Sequence, residues 1–272
     1  MTTPIDSYNI PWTRLPYVFD PARLRAAIMS LPQESWVPHF NQRDYEGEWS
    51  SLSLRSASGR VDDIVPFRQS GGYQDTEIMA ACPYLREAVE TFAFPKKAVR
   101  LLRLHAGSRV REHVDRDLGL KDGEVRIHVP VITNDHVEFV VSNRRLMLRE
   151  GESWYVDFSQ PHRIFNGGSE DRIHLIIDGT LNPWTEELLI RSHREIVTET
   201  YEPEGIASLR RFQRQVFEDP SLQTELLAAP AHEFQDAVVA AGERSGFSFG
   251  LDEVDSLCRQ GQREWTERTF AQ

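Results

Sequence analysis

The spacing of hydrophobic and polar positions changes character twice along the chain. Between residues 98 and 180, short runs rich in Val, Ile and aromatic residues recur at strand length: 98–105, 124–133, 136–142, 145–149, 153–158, 162–166 and 172–179. Turn-forming clusters separate them, among them Ala106-Gly107-Ser108, Lys121-Asp122-Gly123 and Glu150-Gly151-Glu152. No segment long enough for a crossover helix interrupts the series. The pattern therefore predicts a mainly β core, an antiparallel jelly roll or double-stranded β-helix of cupin-like build, with helical additions. After Asn182-Pro183 apolar residues fall three to four apart, which predicts helices over 184–200, 206–218, 222–228, 232–244 and 251–259, with a loop at 245–250. Ahead of the β region, Asp20-Pro21 caps a predicted helix over 22–31, and Leu85, Ala88, Val89 and Phe92 form one stripe of another over 83–94. Residues 34–75, with Trp36, Trp49 and Tyr73, have no sustained period and read as loops and short strands laid over a sheet edge. The expected division is a domain of residues 1–204, its β-helix core at 98–180 under a helix and loop cover at 1–97, followed by a helical region at 205–272.

Composition narrows the function classes. With 272 residues, 40% hydrophobic and 27% charged, this is an ordinary globular composition. A net charge of −11 argues against nucleic-acid binding, which needs a cationic surplus against phosphate. No apolar run of 18 residues is present to span a membrane, and the N-terminus lacks a secretory pattern. Cys82 and Cys258 stand alone, which excludes a disulfide framework and a cysteine zinc site and fits a reducing cytoplasm.

The candidate chemistry sits inside the β region. In a strand, residues separated by one share a face, so His113 and Asp115 could close on one ion. His162, 49 residues after His113, would complete a two-histidine, one-carboxylate face that leaves open positions on non-haem iron. Two further pairs, Arg126-Ile127-His128 and Arg172-Ile173-His174, place a guanidinium and an imidazole on one face of otherwise aliphatic strands. If they face inward they need an anion, and a dicarboxylate would satisfy two arginine forks. If they face outward, salt bridges to Glu124, Glu138 or Asp171 account for them. His105, Arg103, Arg109 and Arg111 are candidates for a substrate carboxylate, or solvated strand-end charges. Asp157 either orients a metal-bound histidine or caps a turn.

His113-x-Asp115, Arg126-x-His128 and His162 with Arg172 ten residues on resemble the aspartyl/asparaginyl β-hydroxylase family of Fe(II)- and 2-oxoglutarate-dependent oxygenases. Leu104-His105-Ala106-Gly107 and Gly151-Glu152-Ser153-Trp154 extend the match, which covers residues 98–180. The resemblance implies a double-stranded β-helix with iron in its mouth, held by His113, Asp115 and His162. It implies that Arg172 pairs with the distal carboxylate of 2-oxoglutarate and that Arg126 and His128 lie by the cosubstrate; His174 is a further cosubstrate-side candidate or, equally, a packed core histidine. The implied reaction is a dioxygenase hydroxylation with O2 of an amino acid or peptide residue, releasing succinate and CO2. Animal members carry Gly where this chain has Asp115, so the family's Asp/Asn substrate preference does not transfer. Bacterial relatives and proline hydroxylases of similar build keep the carboxylate. Residues 212–255 resemble, more loosely, Nif11-type leader segments, which implies peptide docking; a helical cap or a homodimer surface fits equally. Two competing functions remain open: a cupin-type metal-dependent isomerase or hydrolase, and a non-catalytic small-molecule-binding β-barrel with a helical partner-binding tail.

Overall fold

Asp20 begins the first helix as its sequence requires. The Asp20 Oδ1 accepts from the backbone nitrogens of Ala22 and Arg23 at 2.9 and 3.2 Å, and Pro21 occupies the first turn, where no donor is missed. The computed structural model describes residues 10–66 and 72–270. In chain order the elements are β1 (Trp12–Val18), α1 (Pro21–Met29), β2 (Val37–Pro38), β3 (Tyr45–Glu46), β4 (Trp49–Ser56), β5 (Gln74–Asp75), α2 (Glu77–Ala81), α3 (Pro83–Glu90), β6 (Lys96–Leu104) and β7 (Arg109–His113). They continue with β8 (Glu124–Ile132), β9 (Val137–Val141), β10 (Arg144–Leu146), β11 (Glu152–Val156), β12 (His162–Asn166), β13 (Arg172–Thr180), α4 (Pro183–Glu195), β14 (Thr200–Tyr201), α5 (Glu204–Glu218), α6 (Pro220–Leu227), α7 (Phe234–Arg244) and α8 (Leu251–Phe270). Internal contacts divide the chain into two units: the described residues to Val141 with Leu146–Glu199, and Ser142–Arg145 with the described residues from Thr200.

In the first unit two antiparallel sheets face each other. The larger runs β1-β11-β8-β13-β6-β4-β2, and the smaller runs β9-β12-β7-β3. Strands β6, β7, β8, β9, β11, β12 and β13 alternate between the two sheets as the chain proceeds, which is a double-stranded β-helix. The strongly hydrophobic β8 and β13 are covered on both faces. Val125, Ile127 and Val129 of β8 and Ile173, Leu175 and Ile177 of β13 join Leu24, Ile28, Leu85, Ala88, Leu188 and Leu189 of the helices in one core. Ile176 points the other way, into a second core between the sheets with Phe139, Val141, Trp154, Val156 and Ile164. Each fully buried aliphatic side chain contributes about 1.5–3 kcal/mol, so the register of these strands is strongly fixed. That register has a chemical consequence. By the two-residue period, Arg172, His174 and Asp178 share the interior face with Ile176, and Arg126 and His128 lie on the corresponding face of β8. The charged residues are inside.

Among strands of five residues or more, β1, β4 and β7 escaped the sequence pattern. Residues 34–75 contain β4, an eight-residue strand between β6 and β2 in the larger sheet. Its serines are weak strand formers, and three of them make specific bonds: Ser53 Oγ to the Asp63 carbonyl at 2.8 Å, Ser56 Oγ to the Arg60 carbonyl at 2.9 Å, and Ser50 Oγ from Arg103 Nε at 3.0 Å. Strand β7, too short and charged to announce itself, carries the first candidate ligand. Gly151 turns the chain into β11 at φ 79°, and a Cβ there would lie 2.3 Å from the Phe19 carbonyl oxygen, so no other residue fits without displacement.

The second unit packs α5, α6, α7 and α8 around Leu209, Phe212, Leu226, Val238, Ala241, Phe249 and Val254. Phe247 and Phe249, from the predicted 245–250 loop, close on Phe212 at 5.6 and 5.5 Å between ring centroids. No helix among the described residues is long and apolar enough to cross a membrane.

Candidate metal centre and buried arginine cavity

His113, Asp115 and His162 come together. Their ligating atoms all lie within 4.8 Å of one another, and the two imidazole centroids are 4.2 Å apart. The strand argument for the first pair needs correction, because β7 ends at His113 and Asp115 lies beyond it. The Asp115 backbone nitrogen donates to the Phe158 carbonyl at 2.9 Å, which tethers this exit segment beside β12. The strand also contains a bulge. His113 pairs with His162 and Val110 with Ile164, so three steps along β7 oppose two along β12. The extra residue turns His113 onto the interior face occupied by Val110, although His113 shares its parity with Arg109 and Arg111.

Both histidines are presented in one tautomer. His113 Nδ1 lies 2.8 Å from the Arg111 carbonyl, and His162 Nδ1 lies 2.9 Å from the Gln160 carbonyl. A carbonyl only accepts, so each Nδ1 carries the proton and each Nε2 is a free ligand atom. Asp157 caps the turn that aims the Gln160 carbonyl, accepting from Ser159 N at 3.0 Å and Ser159 Oγ at 2.6 Å. Of the two readings of Asp157, the turn cap is the one present.

The carboxylate is held equally firmly. Asp115 Oδ2 accepts from Arg126 Nη1 at 2.6 Å, and Asp115 Oδ1 lies 3.6 Å from His113 Nε2. Burial alone would raise the Asp115 carboxyl, but Arg126, with help from His162 and His113, holds it below the usual carboxylate range. The set is anionic, imidazole-rich and faces a cavity of about 250 Å³, so it could hold a divalent ion.

Four arginines line the same cavity, an exposed Arg116 and the buried Arg100, Arg126 and Arg172, and the partners of the buried three differ. Arg126 Nε and Nη2 donate to Asp178 at 2.6 and 3.3 Å, so its fork is committed to Asp178 and Asp115. Arg100 Nη2 donates to Asp178 at 2.7 Å and its Nη1 to the Ile64 carbonyl at 3.3 Å. Two cations thus face two carboxylates. Arg172 is different: it is 1% exposed, its Nε has no partner, and no carboxylate faces it among the described residues. Its contacts are the His174 Nδ1, 2.8 Å from Nη2, and the Phe139 ring, 5.4 Å below its Cζ. Burial without a counter-ion lowers its pKa to about 9. A carboxylate could complete a guanidinium in this state, since its fork matches two oxygens. His128 lines the cavity beside it with a partnerless Nε2, stacked on Phe158 at 4.7 Å. His174 does not reach this cavity. It lies behind Arg172 and lines a second cavity of about 200 Å³ with Phe139, Asn134 and Leu148.

The four residues expected at a substrate carboxylate are elsewhere. Arg103 lies over Trp36 at 4.2 Å and bonds Ser50 and Gln33, on the opposite face of β6 from Arg100. His105 sits 3.2 Å from Asp171, while Arg109 and Arg111 meet Glu46. The bulge explains the last two, since it puts His113 inside and leaves their side chains outside. The cavity wall comes instead from His39, Phe40, Asn41, Asp44 and Trp49. These lie in the aperiodic, aromatic-rich segment at 34–75.

Buried neutral histidines give the site an acid-sensitive stability. His39, stacked on Trp49 at 3.6 Å, has its pKa lowered to about 3 by burial and then by Arg100. His162 is lowered to about 4 by burial and then by His113, and burial followed by the Arg172 charge holds His128 and His174 well below the usual histidine value. Unfolded histidine binds a proton near pH 6.5. Below that pH the unfolded chain is protonated at positions that stay neutral when folded. The contribution is therefore complete above about 6.5 and is lost as pH falls toward 4, by about 1.4 kcal/mol per pH unit for each histidine. Urea midpoints of the metal-free protein should fall steeply from pH 6.5 to 5, and a flat profile would contradict these assignments.

A family model described as Aspartyl/Asparaginyl beta-hydroxylase matches residues 22–181. The chain belongs to this family. The family match includes every residue of the cavity named above and ends before Thr200, where the helical part of the second unit begins. An L-proline cis-4-hydroxylase of Rhizobium meliloti (strain 1021) is 26% identical over 184 residues, which are 66% of this chain and 64% of that protein. The chain thus aligns with less than two thirds of that relative's length. Among solved structures, a 2OG-Fe(II) oxygenase family oxidoreductase from Burkholderia pseudomallei is 15% identical with a TM-score of 0.43, covering 64% of this chain and 89% of that one. A Pseudomonas putida prolyl-4-hydroxylase is 13% identical with a TM-score of 0.40, covering 66% and 97%.

Proposed function

We propose that this family member is an Fe(II)- and 2-oxoglutarate-dependent dioxygenase that hydroxylates an amino acid or a peptide residue. The observation that carries the reading is Arg172, a buried guanidinium without a counter-ion, in the same cavity as a two-histidine, one-carboxylate set. His113 Nε2, His162 Nε2 and one Asp115 oxygen would hold the iron. Arg172 would take the distal carboxylate of 2-oxoglutarate, with His128 beside it. When bound, iron, 2-oxoglutarate and O2 supply the oxidation that inserts one oxygen atom into a substrate C–H, leaving succinate and CO2. The chain's own part is orientation and exclusion of water. Arg126 fixes the carboxylate, the two backbone carbonyls fix the imidazole tautomers, and Phe158, Ile164 and Leu102 keep the cavity wall apolar. His39, Phe40 and Trp49 would face the substrate.

A relative named for L-proline hydroxylation puts proline first in the substrate panel, followed by aspartate and peptides. The second unit, through its Nif11-like resemblance, is a candidate for docking a peptide substrate or a second copy of the chain. A cytoplasmic location fits the absence of paired cysteines. The test is incubation in air with Fe(II), 2-oxoglutarate and that panel, followed by mass spectrometry. Succinate together with a product heavier by one oxygen is expected. Failure to convert 2-oxoglutarate with any substrate, under conditions where Fe(II) is bound, would sink the proposal.

A further inference from the structure

Asp178 has no part in the sequence pattern that pointed to the site and does not line the cavity, yet it is fully buried and accepts three hydrogen bonds from two cavity arginines. We propose that Asp178, braced by Arg100, is a positioning residue for the metal-binding carboxylate: it fixes the Arg126 guanidinium so that Asp115 offers a single oxygen to the ion. This rests on the metal reading given above.

The argument begins with strand order. β13 lies between β8 and β6, and Asp178 is in direct register with Arg126. Its carboxylate takes Arg126 Nε at 2.6 Å and Nη2 at 3.3 Å from one side, and Arg100 Nη2 at 2.7 Å from the other. A guanidinium is planar and rigid, so two nitrogens held on Asp178 leave the third no freedom of direction. That third nitrogen, Nη1, meets Asp115 Oδ2 at 2.6 Å. Asp115 Oδ1 is left as the oxygen that neighbours His113 Nε2, at 3.6 Å. Arg100 has its own second anchor, the Ile64 carbonyl at 3.3 Å, so the carboxylate of Asp178 is held from both flanks. A structural role alone would require only that two buried cations be balanced by two anions. The positioning role requires in addition that Arg126 be aimed. The two roles make different demands, and a charge-balanced variant separates them.

The experiment titrates Co(II) alone into the full-length wild type, Asp178→Asn, and the double variant Arg100→Met/Asp178→Asn, reading affinity and the visible d–d spectrum. The double variant removes one charge of each sign, so it retains the balance that the single variant loses. Both variants should bind Co(II) about 10–100-fold more weakly, with shifted d–d bands, and the double variant should keep a cooperative melt. A folded double variant with wild-type affinity and spectrum would reduce Asp178 to charge balance and overturn the proposal. Unfolding of the double variant would assign Asp178 to the fold alone, with the same consequence. A wild type that takes up no Co(II) would overturn the metal reading itself, and that outcome is decided before any variant is compared.

Discussion

Arg172→Met should raise the melting temperature of the metal-free protein while weakening 2-oxoglutarate binding by about 100-fold or more. The two effects have one cause. Arg172 is 1% exposed, and its charge meets only the edge of His174, the face of Phe139 and its own orphaned Nε. Removing a buried charge in favour of a methionine of similar length is worth about 1–4 kcal/mol where even paired charges have been replaced. At roughly 2–4 °C per kcal/mol for a unit of this size, the shift is readily seen in a thermal melt. The same guanidinium is the group that a cosubstrate carboxylate would complete, and truncating one partner of a buried charge pair costs about 2–5 kcal/mol in affinity. Calorimetry with 2-oxoglutarate on the metal-loaded protein measures the second effect, and Co(II) affinity should stay within about a factor of two since Arg172 touches no triad residue. Unchanged 2-oxoglutarate affinity would remove Arg172 from the role proposed for it. A lower melting temperature would mean that an anion from within the chain already satisfies it.

The second large effect is expected at the carboxylate. Asp115→Ala should abolish turnover and also destabilise the fold, whereas His113→Ala should abolish turnover alone. Either change deletes a proposed metal ligand, and the loss in metal affinity should exceed the roughly 10–100-fold typical of groups that merely support a ligand. The difference lies in what each leaves behind. Without Asp115, Arg126 keeps its bonds to Asp178 but its Nη1 is stranded in a buried site. Breaking a fully buried pair costs about 3–5 kcal/mol; with Asp115 30% exposed, about 2 kcal/mol is expected here. His113 bonds only a backbone carbonyl from a half-buried position, so its loss strands no charge. Paired denaturation curves decide the matter, and equal stabilities would mean that Arg126 finds another partner.

Much of this site could be read along the chain, and the exceptions have specific causes. The seven predicted β segments correspond to strands, and β12 begins and ends at the predicted residues, because each lies in a core that enforces the two-residue period. The inward placement of Arg126, His128, Arg172 and His174 follows from that period together with the aliphatic residues between them. Asp178 carries the same parity as Arg172 and His174 and was within reach of the same rule. Its importance was not, because it depends on Arg126 and Arg100 being on the two neighbouring strands, and strand pairing is a long-range property that no local window contains. The β7 bulge is a similar case. Parity along residues 109–113 places Arg109, Arg111 and His113 together, and one extra residue against β12 separates them. Strand β4 was obscured by its serines, of which Ser53 bonds the Asp63 carbonyl, ten residues away.

The two imidazoles are oriented by the Arg111 and Gln160 carbonyls, that is, by main chain rather than side chains. Substitution cannot delete a carbonyl, so a library that varies the side chains at Arg111 and Gln160 should leave the proton inventory of the site unchanged. Insertions or deletions in β7, or in the turn before His162, should be the changes that disturb it. For anyone redirecting this scaffold toward new substrates, the spacing between Val110 and His113 is therefore the dimension to leave alone.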